Sequence, residues 1–227
     1  CEAVKHHLEV YGLRVPHDPE LERRYDFAKN QAQLLGSQVL GYFNDILYHN
    51  SVRDRAVKNF PTEADQRANS LIIRALEEDS ITRDDGIITE EMAQDIPTLH
   101  RIMKEKEYVW VIDPLDGTVN FAYRFPFFCV SLGLLHQTKP VLGVVYNPPT
   151  QELYGGIDGF PSECIDLKSG TRQNITLASG KSDLSDCVVM THLSSKSAPR
   201  LKTIRILNKM LEKCRTVRIL GCGQMTL

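Results

Sequence analysis

The chain has 227 residues, 42% hydrophobic and 25% charged, a length that fits one large domain or two small ones and readily builds a core. Its net charge of −2 gives no electrostatic reason to expect a nucleic acid or an anionic membrane as partner. The longest apolar runs, such as Phe127–Leu135, are too short to span a bilayer.

The N-terminal segment Cys1–Pro16 is rich in His and charge and has no apolar core of a signal peptide. A first residue other than Met predicts a fragment or a processed form. Leu21 to about Leu47 then reads as a long helix, because Leu21, Tyr25, Ala28, Ala32, Leu35, Val39 and Phe43 recur at three- and four-residue steps. Thr62–Glu77 reads as a second helix, with Thr62 as N-cap, Asp65 as a weak capping-box partner and Leu71, Ile72, Ala75 and Leu76 as its buried stripe. Gly86–Thr89 is a short strand that ends at Glu90-Glu91, and a polar helical segment follows to Lys106. Tyr108–Ile112 is an uncharged β run, expected to be a central strand buried on both faces. Strands are predicted at Phe127–Leu135, Val141–Tyr146 and Glu152–Gly156, with turns at His136–Pro140, Pro148-Pro149 and Gly155–Pro161. Further on come a strand at Cys187–Met190, a helix at Pro199–Glu212, a strand at Thr216–Leu220 and, at Met225, the start of an amphipathic helix. Strands and helices alternate throughout, which predicts an α/β or α+β layered fold.

Chemistry concentrates in Asp113-Pro-Leu-Asp-Gly-Thr. The strand delivers Asp113 to a turn, and Pro114 biases the residue before it towards extended backbone. Asp116 can fold back beside Asp113, and the Leu115 carbonyl lies between them. Gly117 permits a tight backbone and close ligand approach. Thr118 offers a hydroxyl where N–H groups face an anion. Two carboxylates this close repel, so a cation is expected to neutralise them. Hard oxygen ligands select Mg²⁺ over zinc or copper. Glu90 and Glu91 meet Asp113 at one sheet edge if their strand pairs with Tyr108–Ile112, and Asp65 adds a fourth acid. Such a cluster can hold two or three metals and clamp a phosphate oxygen. Taken singly, each piece has a plainer reading: Asp-Gly a hairpin turn, Glu-Glu a solvated helix start, Thr62–Asp65 a helix cap. Their co-occurrence in this order favours the metal-site reading.

Over residues 25–221 the sequence resembles the inositol monophosphatase family, a group of Mg²⁺-dependent, lithium-sensitive sugar phosphatases. The resemblance rests on Trp110–Phe121 and Phe125–Gly133, with Thr62-Glu-Ala-Asp and Ile88-Thr-Glu-Glu upstream and Gly143–Pro148 downstream. It implies a layered αβαβα fold, incomplete at its C-terminal end. Residues 1–20 would be an N-terminal extension, 21–160 an α+β metal-binding portion and 161–227 the start of a C-terminal α/β portion. The resemblance also implies that Glu90, Asp113, Asp116 and the Leu115 carbonyl ligate Mg²⁺, with Asp113 bridging two ions. Thr118, paired with Asp65, would orient and deprotonate the attacking water, with Glu90 among the catalytic groups. Asp116 and the Gly117 and Thr118 N–H groups would bind substrate. The substrate would be inositol monophosphate or a similar small polyol phosphate, and the protein a homodimer.

Asn120-Phe121 and Phe125-Pro-Phe lean towards the inositol-monophosphatase branch, and Val119 stands where bisphosphate-nucleotidase relatives more often have Lys. Three departures count against full activity. The family's later Trp-Asp-x-Ala-Ala-Gly segment does not occur before Leu227. Cys222-Gly-Gln replaces a Ser-Ala-Ala set. Asp54 stands where Lys is frequent. The alternatives are a non-catalytic truncated homologue serving as a dimerising or regulatory scaffold, or a bisphosphate nucleotidase or fructose-bisphosphatase. The six cysteines form no C-x-x-C pair and no zinc spacing, so reduced, mostly buried thiols in a cytoplasmic or plastid compartment are expected.

Overall fold

In the computed structural model, residues 18–48, 55–175, 183–191, 193 and 197–226 are described. Helix α1 (Pro19–Tyr48) and helix α2 (Arg55–Glu78) lie side by side on one face of a seven-stranded sheet. The sheet order follows the chain: β1 (Gly86–Thr89), β2 (Tyr108–Asp116), β3 (Cys129–His136), β4 (Lys139–Asn147), β5 (Glu152–Ile157), β6 (Glu163–Asp166) and β7 (Thr171–Asn174). Only β1 and β2 run parallel, joined by helix α3 (Ile96–Glu105); every other neighbouring pair is antiparallel. Helix α4 (Thr118–Ala122) links β2 to β3. A separate β8 (Val188–Thr191), α5 (Ser197–Leu211), β9 (Thr216–Ile219) unit forms a two-stranded parallel sheet. The architecture is α+β and layered.

The period-3.6 stripe expected on α1 is buried as read: Tyr25, Ala28, Ala32, Leu35, Val39 and Phe43 all face the sheet. Ala64, Ala68, Ile72 and Leu76 form the matching stripe of α2; of the expected stripe, Leu71 is 38% exposed and does not belong to it. Against them stand Trp110, Ile112, Val130, Leu132, Leu134, Leu142, Val144, Tyr146 and Leu153 from alternating positions of β2–β5. Small residues let α1 sit close: a Cβ on Gly36 would collide with the Tyr146 ring. Phe43 of α1 packs on Phe121 of α4 and Phe128, with centroids 5.5 and 4.9 Å away. This aromatic cluster fixes α4, and with it the turn that carries the site.

A buried polar knot secures the other end of the helix layer. Arg24 of α1 donates to both Asp85 oxygens at 3.1 and 3.2 Å and to the Ile81 carbonyl at 3.0 Å. The indole Nε1 of Trp110 donates to the same Asp85 carboxylate at 3.0 Å. The guanidinium also lies 4.1 Å from the Tyr108 ring centre.

Several expectations need correction. β2 is not buried on both faces: Val111 is 41% exposed while Ile112 is 2% exposed. Helix α3 packs on the far face only beside β1, so Val109 is buried there at 3% exposure while Val111, further along the strand, is left open. Helix α2 begins at Arg55, so Thr62 lies inside it and is not its N-cap. β6 and β7 escaped the sequence reading because β7, Thr-Arg-Gln-Asn, is a fully exposed polar edge strand. In place of the helix expected at Met225 there is a single 3₁₀ turn, Gln224–Thr226. Of the cysteines, Cys129 and Cys222 are buried and Cys164, Cys187 and Cys214 half-buried, all with free thiols. Cys1 and Asp54 lie outside the described residues.

Candidate metal and phosphate site

The parallel register sets Thr89 beside Ile112, so Glu90 leaves β1 level with Asp113. Across the β2–β3 pair, Asp113 faces Ser131 and Asp116 faces Cys129. Three steps on β2 therefore match two on β3, which is a one-residue bulge. In a regular strand, residues three apart point to opposite faces. The bulge cancels that alternation and brings both carboxylates to one side. Pro114 and Leu115 are the residues left without register partners, and the Asp113 carboxylate turns back to accept from the Leu115 N–H at 3.1 Å.

Gly117 follows with φ 91°, ψ 32°, a left-handed conformation that favours glycine. A Cβ there would lie 3.0 Å from the Phe127 carbonyl oxygen and 3.3 Å from the Cys222 Cβ. The chain then enters α4, where Phe121 N–H donates to the Gly117 carbonyl at 2.9 Å. Asn120 holds this turn down: its Nδ2 donates to the Phe127 carbonyl at 2.8 Å and to the Leu220 carbonyl at 2.7 Å.

Asp65 reaches the site from α2, which packs on α4 and β2. Its Oδ1 is buried without a hydrogen-bond partner, and so is Oδ1 of Asn69 one turn later. Two orphaned acceptors at i and i+4 on one helix mark a place that calls for a cation or a donor. Thr118 opens α4, the short helix that packs on α2, and makes no hydrogen bond to Asp65 Oδ1.

The electrostatics say the same. Burial first, then Glu90 and Asp116, push the Asp113 carboxyl up to about 8. Burial first, then Glu91 and Glu90, push Asp65 up to about 6. Glu90 is raised by burial and by Glu91 and Asp116. These groups share one low-dielectric corner and repel. A divalent cation bound by oxygen donors relieves that repulsion, and the carboxylates of Glu90, Asp113 and Asp116 are donors of the kind a hard ion takes.

Around Asp116 the structure holds residues that sequence reasoning did not assign to the site. Its Oδ2 accepts from the Gln224 N–H at 2.8 Å and from Cys222 Sγ at 3.0 Å. The Gln224 side-chain amide, with its nitrogen turned to the carboxylate, reaches Oδ1 at 3.2 Å. Cys129 Sγ lies 4.0 Å from Oδ2 and 3.6 Å from Cys222 Sγ. The neighbouring Cys222 first, then burial, raise the Cys129 thiol far above its ordinary range. In the sequence, Cys222 and Gln224 appear only as departures from a small-residue set, 106 and 108 positions after Asp116. A groove of about 800 Å³ over the open sheet face, lined by Gly143, Val145, Tyr154 and Gly156, touches this corner only through Gln224 and Met225.

Residues 20–227 match the Inositol monophosphatase family. An inositol-1-monophosphatase of Synechocystis is 44% identical over 93 residues, which is 41% of this chain and 30% of the relative. Human inositol monophosphatase 2 is 31% identical over 169 residues, 73% of this chain and 54% of the relative. The chain thus spans about half or less of the length of these curated relatives. The solved inositol monophosphatase of Anabaena superposes with a TM-score of 0.65 at 25% identity, over 90% of this chain and 73% of that one. Mycobacterium tuberculosis SuhB shares the fold, with a TM-score of 0.70 at 24% identity over 90% and 71% of the two chains. With the bulged Asp113–Asp116 turn, the acids that converge on it and a family match running through nearly all of the described fold, the chain belongs to the inositol monophosphatase family.

Proposed function

We propose that this chain carries the metal-binding portion of a Mg²⁺-dependent phosphomonoesterase that hydrolyses inositol monophosphate or a similar small polyol phosphate. One observation carries the reading: Asp65, Glu90, Asp113 and Asp116 converge from α2, the end of β1 and the bulged end of β2. Glu90, Asp113, Asp116 and the Leu115 carbonyl would hold the two or three ions expected. Bound Mg²⁺ supplies a lowered pKa for coordinated water and stabilises charge on phosphate oxygens.

The remaining roles belong to the protein's own groups. Asp65, whose buried Oδ1 has no hydrogen-bond partner, would accept the proton of the attacking water, and the Thr118 hydroxyl would orient that water. Glu90 would share this work from the end of β1. The Gly117 and Thr118 N–H groups would hold phosphate oxygens, because the left-handed glycine leaves no Cβ between backbone and ligand. Asp116 would also bind substrate. Homodimerisation is part of the same reading and is checked by light scattering in solution.

The test is phosphate release from inositol 1-phosphate, with and without Mg²⁺, beside an Asp113→Asn variant. Mg²⁺-dependent release that the substitution abolishes supports the enzyme. Folded protein that binds Mg²⁺ without releasing phosphate favours a second reading, a non-catalytic scaffold. That alternative has its own observation: Cys222 and Gln224 already occupy Asp116 Oδ2.

A further inference from the structure

We propose that Asp116, Cys129 and Cys222 form a site for a thiophilic divalent cation of the zinc type, distinct in chemistry from the oxygen-donor set. The three ligand atoms lie within 4.8 Å of one another, close to the spacing such an ion requires. Tetrahedral zinc, with Zn–S of about 2.3 Å and Zn–O of about 2.0–2.2 Å, sets a sulfur–sulfur edge of about 3.8 Å and sulfur–oxygen edges of about 3.5 Å. The observed Sγ–Sγ distance is 3.6 Å. The two Sγ–Oδ2 distances, 3.0 and 4.0 Å, bracket the oxygen edge. Small shifts of the Asp116 carboxylate equalise them.

The ligands are also held before any ion arrives. Asp116 and Cys129 are register partners across β2 and β3. Cys222 is fixed from both sides. Asn120 grips the Leu220 carbonyl, and the Gly117 backbone abuts the Cys222 Cβ. Both thiols are fully buried. The Gln224 N–H donates to the same Asp116 Oδ2 at 2.8 Å, the kind of outer contact that orients a metal ligand. Three protein ligands leave the fourth tetrahedral position to an exogenous ligand.

Binding is a ligand exchange with no redox change. Each thiol loses its S–H proton to solvent as its Zn–S bond forms, and the carboxylate enters as the anion. The site stands on its own geometry and does not require the phosphatase reading. It does share Asp116 with the Mg²⁺ set, so zinc there would draw that ligand away and antagonise Mg²⁺.

The experiment is a Co²⁺ titration of the reduced 227-residue chain, read by thiolate-to-cobalt charge-transfer absorption. A band saturating at one equivalent is expected. It should be lost in Cys129→Ser and in Cys222→Ser and kept in Asp113→Asn, which removes only an oxygen-set ligand. No band, or a band that survives in the Cys129→Ser/Cys222→Ser double variant, overturns the site. Because buried serines can unsettle folding, the unsubstituted protein loaded with one equivalent of Zn²⁺ is examined by X-ray absorption. A first shell with two sulfurs at about 2.3 Å is expected. A shell of nitrogen and oxygen alone overturns the proposal.

Discussion

Asp113 is the residue on which the site turns. Its carboxyl titrates near 8 in the metal-free fold, well above its ordinary 3.8. A carboxyl whose folded value is raised binds its proton more tightly folded than unfolded, so protonation favours the fold. That contribution is present below about 4 and is lost as pH rises through about 8. The metal-free chain should therefore lose thermal stability between pH 6 and pH 8. Mg²⁺ should restore more of it at pH 8 than at pH 6, where Asp113 is still largely protonated. Calorimetry at both pH values, with and without Mg²⁺, checks the sign, and an Asp113→Asn chain should show a shallower pH dependence. Asp113, Asp116 and Gly117 were legible in the sequence because one nine-residue strand and its turn contain all the geometry that defines them. Glu90 was legible once β1 and β2 were read as neighbours. Cys222 and Gln224 were not, because a contact made across more than a hundred residues leaves no local spacing to read.

At the scale of elements, α1 owes its seat to the Arg24 knot as much as to its apolar stripe. The guanidinium and the Asp85 carboxylate are both buried, and Trp110 completes their hydrogen bonding. Arg24→Ala leaves Asp85 buried beside a vacated pocket and should cost about 3–5 kcal/mol in urea unfolding. Arg74→Ala, which breaks an exposed pair with Glu78 on α2, should stay within about 0.5 kcal/mol. Equal effects from the two would sink the argument. The same elements show what periodicity reveals. Both long helices and β1–β5 were readable, because one face of each is apolar and buried. β7 carries no apolar face, so only its pairing with β6 defines it. The true start of α2 escaped because the Thr62-Glu-Ala-Asp stretch imitates a cap inside a longer helix.

For the molecule as a whole, the unequal cover of the two sheet faces matters most: α3 reaches the far face only at its β1 end. One side of the sheet is sealed by α1 and α2, while Val111, Gly143 and Val145 lie on the open side. Neighbouring residues of β2 should therefore respond very differently in this 227-residue chain. Ile112→Ala should cost about 2–5 kcal/mol in urea unfolding, and Val111→Thr no more than about 0.5 kcal/mol. A large loss from Val111→Thr would mean that something covers the open side in solution. The Asn120 clamp bears on how this molecule is made. Its amide waits for a carbonyl 100 residues further along the chain, and closing so long a loop is slow compared with pairing adjacent hairpins. On the ribosome the hairpins of β3–β7 can zip as they emerge. The carboxylate of Asp116 then waits more than a hundred further residues for its Cys222 and Gln224 partners, so the acidic corner matures after the hairpins that surround it.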